Sequence, residues 1–189
     1  PIAEYPEIQF SLKMRLGWEN ASECMVLVEL LNTLRLSRIA LHARTGKQQY
    51  KGHPDLEAFQ GFYELCQHPL YYNGGIESLS DIRQILIRFP LLKGVFIGRG
   101  LLSSPLLAKE FKGNETFLPE QRMSIYFAFH EELFSAYSQV LQGETQLLVK
   151  MKTLWEYFLP ETDRKLLKRI KKSTRLQQYT ESVKAIFTS

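Results

Sequence analysis

Long apolar runs are missing from this sequence. No run approaches the roughly 20 consecutive apolar residues that a membrane-spanning helix needs. The N-terminus also lacks the basic, apolar and small-residue order of a secretory signal. We therefore expect a folded cytoplasmic protein with no membrane partner, and its 189 residues, 44% of them hydrophobic, suffice for one sizeable core and a small second domain.

Cysteine and the common catalytic sets are scarce as well. Cys24 and Cys66 lie in helix-like stretches without metal-ligand spacing, so we interpret both as reduced structural thiols. We find no paired carboxylates at glycosidase spacing, no Ser-His-Asp order, no zinc ligand set and no nucleophile elbow. The sequence thus gives little support to a hydrolase, and no metal site is expected.

Positive charge is concentrated near the C-terminal end. The net charge is only +4, yet residues 164–175 (RKLLKRIKKSTR) include seven cations and no acid. Two interpretations stay open for this segment, namely a solvated helix face or a surface that binds a polyphosphate.

Strand-like and helix-like segments alternate over the first half of the chain. Strands are predicted at 9–15, 38–42, 70–72 and 94–97, and the helices between them at 21–34, 55–66 and from a Ser80 cap to Arg88. A repeat of about 30 residues is typical of a parallel sheet covered by helices. Only helical patterns follow, at 119–143, 144–158, 161–172 and 174–187. We therefore predict an α/β part over 1–113 and a helical part over 114–189.

Polar residues and glycines follow the predicted strands, where parallel β/α folds bind their ligands. Lys13 lies within the first strand and needs an anionic or polar partner if it is buried there. Asn73-Gly74-Gly75 and Gly98-Arg99-Gly100 follow the last two strands and predict a phosphate site, because glycine lets backbone N–H groups approach an anion. For the second segment, an ordinary strand-to-helix turn is the alternative.

Four segments resemble one known family. KMRLGW, HARTGKQQYKG, YYNGGI and GVFIGRGLLSSP, in this order and at this spacing, are similar to the tRNA-dihydrouridine synthases, flavin enzymes of the FMN-binding barrel group. The similarity is strong over residues 9–111 and weaker over 119–189, where KMKTLWEYF is the most similar piece. HARTxxQxYxG is the specific signature, whereas the other segments are shared with other flavin barrels.

The resemblance implies roles for residues at the strand ends and in the basic segment. Lys13 would lie beside the flavin ring and stabilise the negative charge of reduced FMN, and His42 would line the flavin site. The phosphate and ribityl chain of FMN would be held by Asn73, Gly74, Gly75, Gly98 and Arg99. The tRNA contacts would come from Arg44, Lys168, Arg169, Lys171 and Lys172. Gly75 departs from the family's usual Asp, which leaves only backbone donors at that position.

The implied reaction is reduction of a tRNA uridine to 5,6-dihydrouridine. NADPH or NADH would reduce FMN, the flavin would pass hydride to C6 of a uracil flipped out of the RNA, and a cysteine would protonate C5. In the family that cysteine follows the fourth of eight barrel strands, whereas this chain corresponds to strands five to eight. We therefore expect no catalytic residue within it.

The resemblance therefore predicts the C-terminal half of a TIM-type (β/α)8 barrel followed by an all-α domain. Such a half-barrel would expose two sheet edges and an uncovered apolar face. We expect it to be inactive alone and to be completed by an N-terminal half-barrel of the same protein or by a second copy. Two alternatives remain: another FMN-barrel oxidoreductase acting on a small pyrimidine, and a non-catalytic RNA-binding fragment. Trp18 also has two interpretations, simple packing or stacking on a base.

Overall fold

A computed structural model describes residue 5 and residues 7–188, so the extreme ends of the two expected parts lie outside the described residues. The described residues form four strands and nine helices in two compact units, which divide between Gly98 and Arg99. The first, called here the β/α unit, consists of β1 (Phe10–Gly17), α1 (Glu23–Asn32), β2 (Leu36–Thr45), α2 (Leu56–Leu65), β3 (Leu70–Asn73), α3 (Leu79–Arg88) and β4 (Gly94–Phe96). The second, the helical unit, consists of α4 (Arg99–Ser103), α5 (Leu107–Gly113), α6 (Pro119–Val140), α7 (Glu144–Leu154), α8 (Arg164–Lys172) and α9 (Leu176–Phe187).

The four strands form one parallel sheet in the order β1-β2-β3-β4. The α/β class with four parallel strands is therefore confirmed, while the half-barrel stays a prediction. The sheet has its edges at β1 and β4 within the described residues. Parallel strands need long crossovers, and α1, α2 and α3 supply them.

The two faces of the sheet differ sharply in polarity. Successive side chains of a strand point to opposite faces. One face carries Ile39 and Leu41, which are fully buried, and Tyr72, whose ring centroid lies 4.9 Å from that of Phe59 on α2. This apolar face therefore packs against the helices, and each large side chain buried there contributes about 1.5–3 kcal/mol.

The opposite face, called here the polar face, carries Lys13, Arg15, His42 and Asn73. The expectation of an uncovered apolar face is wrong in part, because these polar residues interrupt the face, which also carries Ala40, Tyr71 and Phe96. Lys13 is exposed, since β1 is an edge strand, so the desolvation considered for its ammonium does not arise in this structure.

Helix α3 begins two residues earlier than the sequence predicted. Its N-cap is Ser78 rather than Ser80, and the Ser78 hydroxyl accepts a hydrogen bond from Asp81 N at 3.2 Å. The Asp81 carboxylate accepts in return from Ser78 N at 2.8 Å. The pair is a capping box, a serine followed three residues later by an acid, and Ser80 has no acid at that spacing.

The helical unit has a core of its own, and the part of it that the structure describes has no strand. Its buried residues include Tyr126 and His130 of α6, Met151 of α7 and Tyr179 of α9. The aromatic residues of α6 therefore belong to this core. Helices α4 and α5 group with this unit, whereas the sequence analysis assigned them to the α/β part; the roles of the two parts stay predictions. Among the described helices, none has the length and apolar character to cross a bilayer.

Candidate functional site

A row of four residues crosses the sheet near the carboxyl ends of its strands. Arg15 of β1 is aligned with His42 of β2, His42 with Asn73 of β3, and Asn73 with Phe96 of β4. The Asn73 amide nitrogen donates to Phe96 O at 2.8 Å, which ties the ends of β3 and β4 together. The sequence predicted His42 and Asn73 as site residues, and the sheet brings them side by side on its polar face.

The loop between β2 and α2 is built by the signature residues. The Gln48 amide nitrogen donates to Lys51 O and His53 O, both at 2.8 Å, and its oxygen accepts from Thr45 N at 3.3 Å. Gly52 closes the loop at a φ of 63°, a conformation that favours glycine. Thr, Gln and Gly of HARTxxQxYxG therefore specify the shape of the loop. Sequence reasoning missed this role of Gln48, although the signature pointed to it.

Two arginines donate hydrogen bonds to carbonyl oxygens of the same loop. The Arg44 guanidinium is 4% exposed and donates to Lys51 O at 2.7 Å. Arg15 donates to Thr45 O at 2.7 Å and to Gln49 O at 3.1 Å, with its guanidinium 5.9 Å from the ring centroid of Tyr50. The Tyr50 ring in turn lies 6.4 Å from that of His42. Arg44 is thus a loop-positioning group in this structure, and its contact with RNA stays a prediction.

Gly74 and Gly75, which follow β3, have backbone conformations and close neighbours that favour glycine. Gly74 has a φ of 141°, and a Cβ at this position would lie 3.3 Å from both the His42 ring and the Tyr72 hydroxyl. Gly75 has a φ of 60°, and a Cβ there would lie 3.0 Å from Pro54. An Asp at 75 would be strained and crowded, which accounts locally for the departure noted from the sequence. Burial raises the pKa of Tyr72 to about 12, although the Arg44 charge opposes the shift, so the phenol beside Gly74 stays neutral.

An open depression lies beside the polar face, at the end of β1. It has a volume of about 550 Å³ and is lined by Lys13, Met14, Arg15, Gly17, Trp18 and Gly46. Lys13 is aligned with Ala40, two residues before the row of Arg15 and His42, and shares their face.

The segment after β4 leaves its backbone accessible. Gly98 is exposed, and no described atom lies within 4 Å of the point that a Cβ would occupy. Gly98 ends the β/α unit, and Arg99, half-buried, begins α4 of the helical unit. Because α4 has only five residues, its dipole adds little to a phosphate site, and the bare backbone of Gly98 is the stronger feature.

Helix α8 presents its cations to solvent. Its one buried residue is Ile170, and Lys168, Arg169, Lys171 and Lys172 are all exposed. Lys165, Lys168, Arg169 and Lys172 line an open groove of about 450 Å³, which they share with Ser173 and, from α9, Gln178, Glu181 and Ser182. The basic segment is therefore a solvated helix face that borders an open groove, and the binding of a polyphosphate there stays a prediction.

Comparison with known proteins decides the family. The sequence matches the family model described as dihydrouridine synthase (Dus) over residues 3–188. The chain belongs to the dihydrouridine synthase family. The resemblance stated from the four motifs is confirmed, and homologues in this family carry out an oxidoreductase reaction that forms dihydrouridine in tRNA.

Curated relatives of the family match the chain over about half its length. A probable tRNA-dihydrouridine synthase of Rhizobium leguminosarum bv. phaseoli is 34% identical over 100 residues, which cover 52% of this chain and 31% of the relative. One of Aquifex aeolicus is 35% identical over 105 residues, 56% of this chain and 33% of the relative. The tRNA-dihydrouridine(16) synthase of Escherichia coli is 28% identical over 110 residues, 58% of this chain and 35% of the relative. The matched region thus spans about a third of the length of these relatives.

Cys24 and Cys66 of this dihydrouridine synthase chain both have structural surroundings in the described residues. Cys24 is buried and its thiol donates to Ala21 O, while the Cys66 thiol donates to His68 O. Burial raises the pKa of both thiols, which disfavours the thiolate. No cluster of three or more His, Cys, Asp or Glu side chains that could hold a metal is found among the described residues.

Proposed function

We propose that this chain forms the second half of the FMN-binding barrel, with the helical domain, of a tRNA-dihydrouridine synthase that reduces uridine to 5,6-dihydrouridine. The observation that carries the proposal is the β2–α2 loop. There the signature residues Thr45, Gln48 and Gly52 fold the chain beside His42, at the carboxyl ends of a parallel sheet. Parallel β/α folds bind ligands at that end.

The residues at the strand ends suit FMN. A phosphate needs backbone donors without obstructing side chains, and the open Cβ position of Gly98 and the positive φ of Gly74 and Gly75 support such a cradle. We propose that Asn73 and the glycines hold the ribityl phosphate, with His42 lining the ring, and the part assigned to Arg99 stays the expectation drawn from the resemblance. When bound, the cofactor supplies hydride transfer from NADPH or NADH to C6 of the uracil.

Lys13 supplies a fixed positive charge in this proposal. Its ammonium shares the polar face with His42 and borders the open depression. A cation there stabilises negative charge that develops on the reduced cofactor, and this favours the transition state for its reduction. Arg15, in contrast, is committed to loop carbonyls and positions the loop.

The proton donor for C5 has no candidate among the described residues of this chain. The Cys24 thiol lies on α1 and the Cys66 thiol at the C-terminal end of α2, not on the polar face of the sheet, and both donate to backbone carbonyls. We therefore propose that the donor and the remaining strands come from an N-terminal half-barrel of the same protein or from a second copy. The edges at β1 and β4, and the limited share of the relatives that the chain matches, support this. The chain alone is then inactive.

The helical unit contributes RNA affinity in this proposal. The exposed cations Lys168, Arg169, Lys171 and Lys172 contact tRNA phosphates, which release condensed counterions on binding. An enzyme for a small free pyrimidine has no need of such a surface, so α8 disfavours the FMN-barrel alternative. Glu181 is the one acid among the residues that line this groove, and the Gln177 amide donates a hydrogen bond to its carboxylate at 3.0 Å.

The cofactor role of Lys13 is tested in the completed enzyme. Lys13→Ala should slow reduction of the flavin, measured by stopped-flow absorbance, by more than it weakens tRNA binding, because the lost charge lies at the cofactor. Lys93→Ala, which removes another exposed cation, is the control. Unchanged flavin kinetics in Lys13→Ala would remove this residue from the site.

The RNA role of α8 is tested by charge reversal. Lys168→Glu with Lys171→Glu should weaken tRNA binding and reduce the slope of log K against log salt by about two, because each lysine neutralises about one phosphate. The same two reversals at Lys109 and Lys112 on α5 are the control. A salt slope equal to that of the unaltered chain would exclude α8. Salt-sensitive tRNA binding without FMN binding or dihydrouridine formation, even after the barrel is completed, would replace the enzyme with an RNA-binding protein.

A further inference from the structure

Trp18 exposes most of a large apolar ring to solvent. Its side chain lies in the loop between β1 and α1 and is 65% exposed, whereas Trp155 of the helical unit is 2% exposed. An isolated exposed apolar residue is common, but Trp is the largest side chain and is highly buried on average. The exposed ring of Trp18 is therefore a candidate contact surface.

The ring is held in place rather than loose. Trp18 N donates to a Glu23 carboxylate oxygen at 2.8 Å, and Trp18 O accepts from Lys47 N at 3.0 Å. A Cβ added to Gly46 would lie only 2.3 Å from Cε3 of the indole, so the ring lies directly against the bare backbone of Gly46. One side of the indole is therefore seated on Gly46, and its exposed remainder is available to a ligand.

The surroundings of the ring favour an anionic partner. Trp18 borders the depression of about 550 Å³ together with Lys13 and Arg15. The two acids of this loop are already engaged: Glu19 pairs with Lys47 at 2.5 Å, and Glu23 accepts from three backbone N–H groups, those of Trp18, Glu19 and Asn20. A flat aromatic surface beside cations is the chemistry that binds unpaired bases of a polyanionic strand.

We propose that Trp18 is a stacking platform for an unpaired RNA base that flanks the target uridine. The inference rests on the proposed function, since it names the part of the RNA that this end of the sheet recognises. A flanking base fits better than the target itself, because Trp18 lies three residues beyond Arg15, on the loop and not in the row of His42 and Asn73 on the sheet. Stacking of this kind reads unpaired strands and ignores duplexes, whose bases are stacked on each other.

The experiment measures RNA affinity of the 189-residue chain by fluorescence anisotropy. The probes are a labelled RNA hairpin with an unpaired uridine-containing loop and a blunt RNA duplex of equal length. Trp18→Ala should weaken hairpin binding by about 5- to 150-fold, the range for loss of one stacked base, and leave duplex binding unchanged. Trp18→Phe should keep most of the affinity. The salt slope should not change, because no charge is removed.

Gly46→Ala tests the same surface without removing the ring. Its new methyl group would lie 2.3 Å, 2.9 Å and 3.2 Å from three carbons of the indole, so Trp18 must leave its seat. Hairpin affinity should fall as in Trp18→Ala, and the double variant should bind no worse than Trp18→Ala alone. Leu91→Ala, which truncates another exposed apolar residue, is the control and should bind like the unaltered chain.

The outcomes separate this inference from the function on which it rests. If the chain binds tRNA but Trp18→Ala binds the hairpin as tightly as the unaltered chain, or loses hairpin and duplex binding equally, the platform is refuted and the proposed function stands. If Gly46→Ala weakens binding equally with and without Trp18, the seat is irrelevant to RNA and the platform is again refuted. If the unaltered chain binds no RNA at all, both fail.

Discussion

Acidification should destabilise the helical unit, because His130 is buried in it as the neutral imidazole. The side chain is 1% exposed, and its Nε2 lies 2.6 Å from the Tyr179 hydroxyl. That hydroxyl also accepts from Trp155 Nε1 at 3.0 Å, so its own proton is free to go to His130 Nε2. The Nδ1 proton then faces the Glu131 carboxylate at 3.1 Å. Every polar atom of the trio is satisfied in this state, and protonation of Nε2 would break it.

The direction of this pH effect follows from the number of protons that His130 binds in the folded and in the unfolded chain. Burial lowers the pKa of His130 below its ordinary 6.5, and the Glu131 carboxylate opposes this shift only in part. Below about pH 6.5 the unfolded chain therefore binds more protons at this residue than the folded chain, so stability is full above that pH and declines as the pH falls. Protonation of the unfolded histidine alone sets the limit, about 1.4 kcal/mol at pH 5.5.

Urea unfolding at about pH 7.5, 6.5 and 5.5 measures this effect. Trp155 fluorescence reports the helical unit when Trp18 is replaced by Phe. We expect His130→Gln to flatten the decline, whatever its stability at neutral pH, and His53→Gln, which changes an exposed histidine, to leave it intact. The reasoning fails if the unfolding free energy of the Trp18→Phe chain is the same at all three pH values, or if NMR titration puts the pKa of His130 at 6.5 or above.

Two further predictions concern stability and use urea unfolding, followed by circular dichroism for the β/α unit and by Trp155 fluorescence for the helical unit. Ser78→Ala should destabilise the β/α unit by about 1 kcal/mol through loss of the α3 cap, whereas Ser80→Ala should cost no more than about 0.5 kcal/mol; equal effects would contradict the capping box. Arg122→Met should cost about 3 kcal/mol, because it leaves the buried Glu110 carboxylate without its bidentate cation, and Glu110→Gln should cost less, since Arg122 is partly exposed and can be hydrated. The reverse order would refute the assignment of the penalty to the carboxylate.

Much of the fold was accessible from the sequence because its signals are local. Apolar spacing located all four strands and the cores of seven helices, but not the short helices α4 and α5, and the helix from Pro119 was found from its proline at the first position. Boundaries were less accessible. β2 runs to Thr45, through residues that the sequence analysis placed in a loop, because Thr45 pairs with Gly17 across a register shift that no local pattern encodes.

Burial of single polar residues was the least predictable property. Lys13 and Arg44 are both cations within strands, yet Lys13 is exposed and Arg44 is 4% exposed with its guanidinium on Lys51 O. The difference depends on strand order, since β1 is an edge and β2 is central, and on a loop that folds back over β2. Both are tertiary facts, which a pattern of residue types along one strand does not contain.

The signature HARTxxQxYxG thus has a physical meaning that differs from a set of catalytic side chains. Gln48 and Thr45 bind the backbone of their own loop, Gly52 closes it, and Arg44 donates to a loop carbonyl. Of the specified residues, His42 is the one placed in the row across the polar face. The signature therefore identifies a loop shape that positions one histidine, and it carries little information on which uridine is bound. That choice must depend on residues outside it, and the exposed indole of Trp18 and the cations of α8 are the surfaces of this chain with the chemistry to make it.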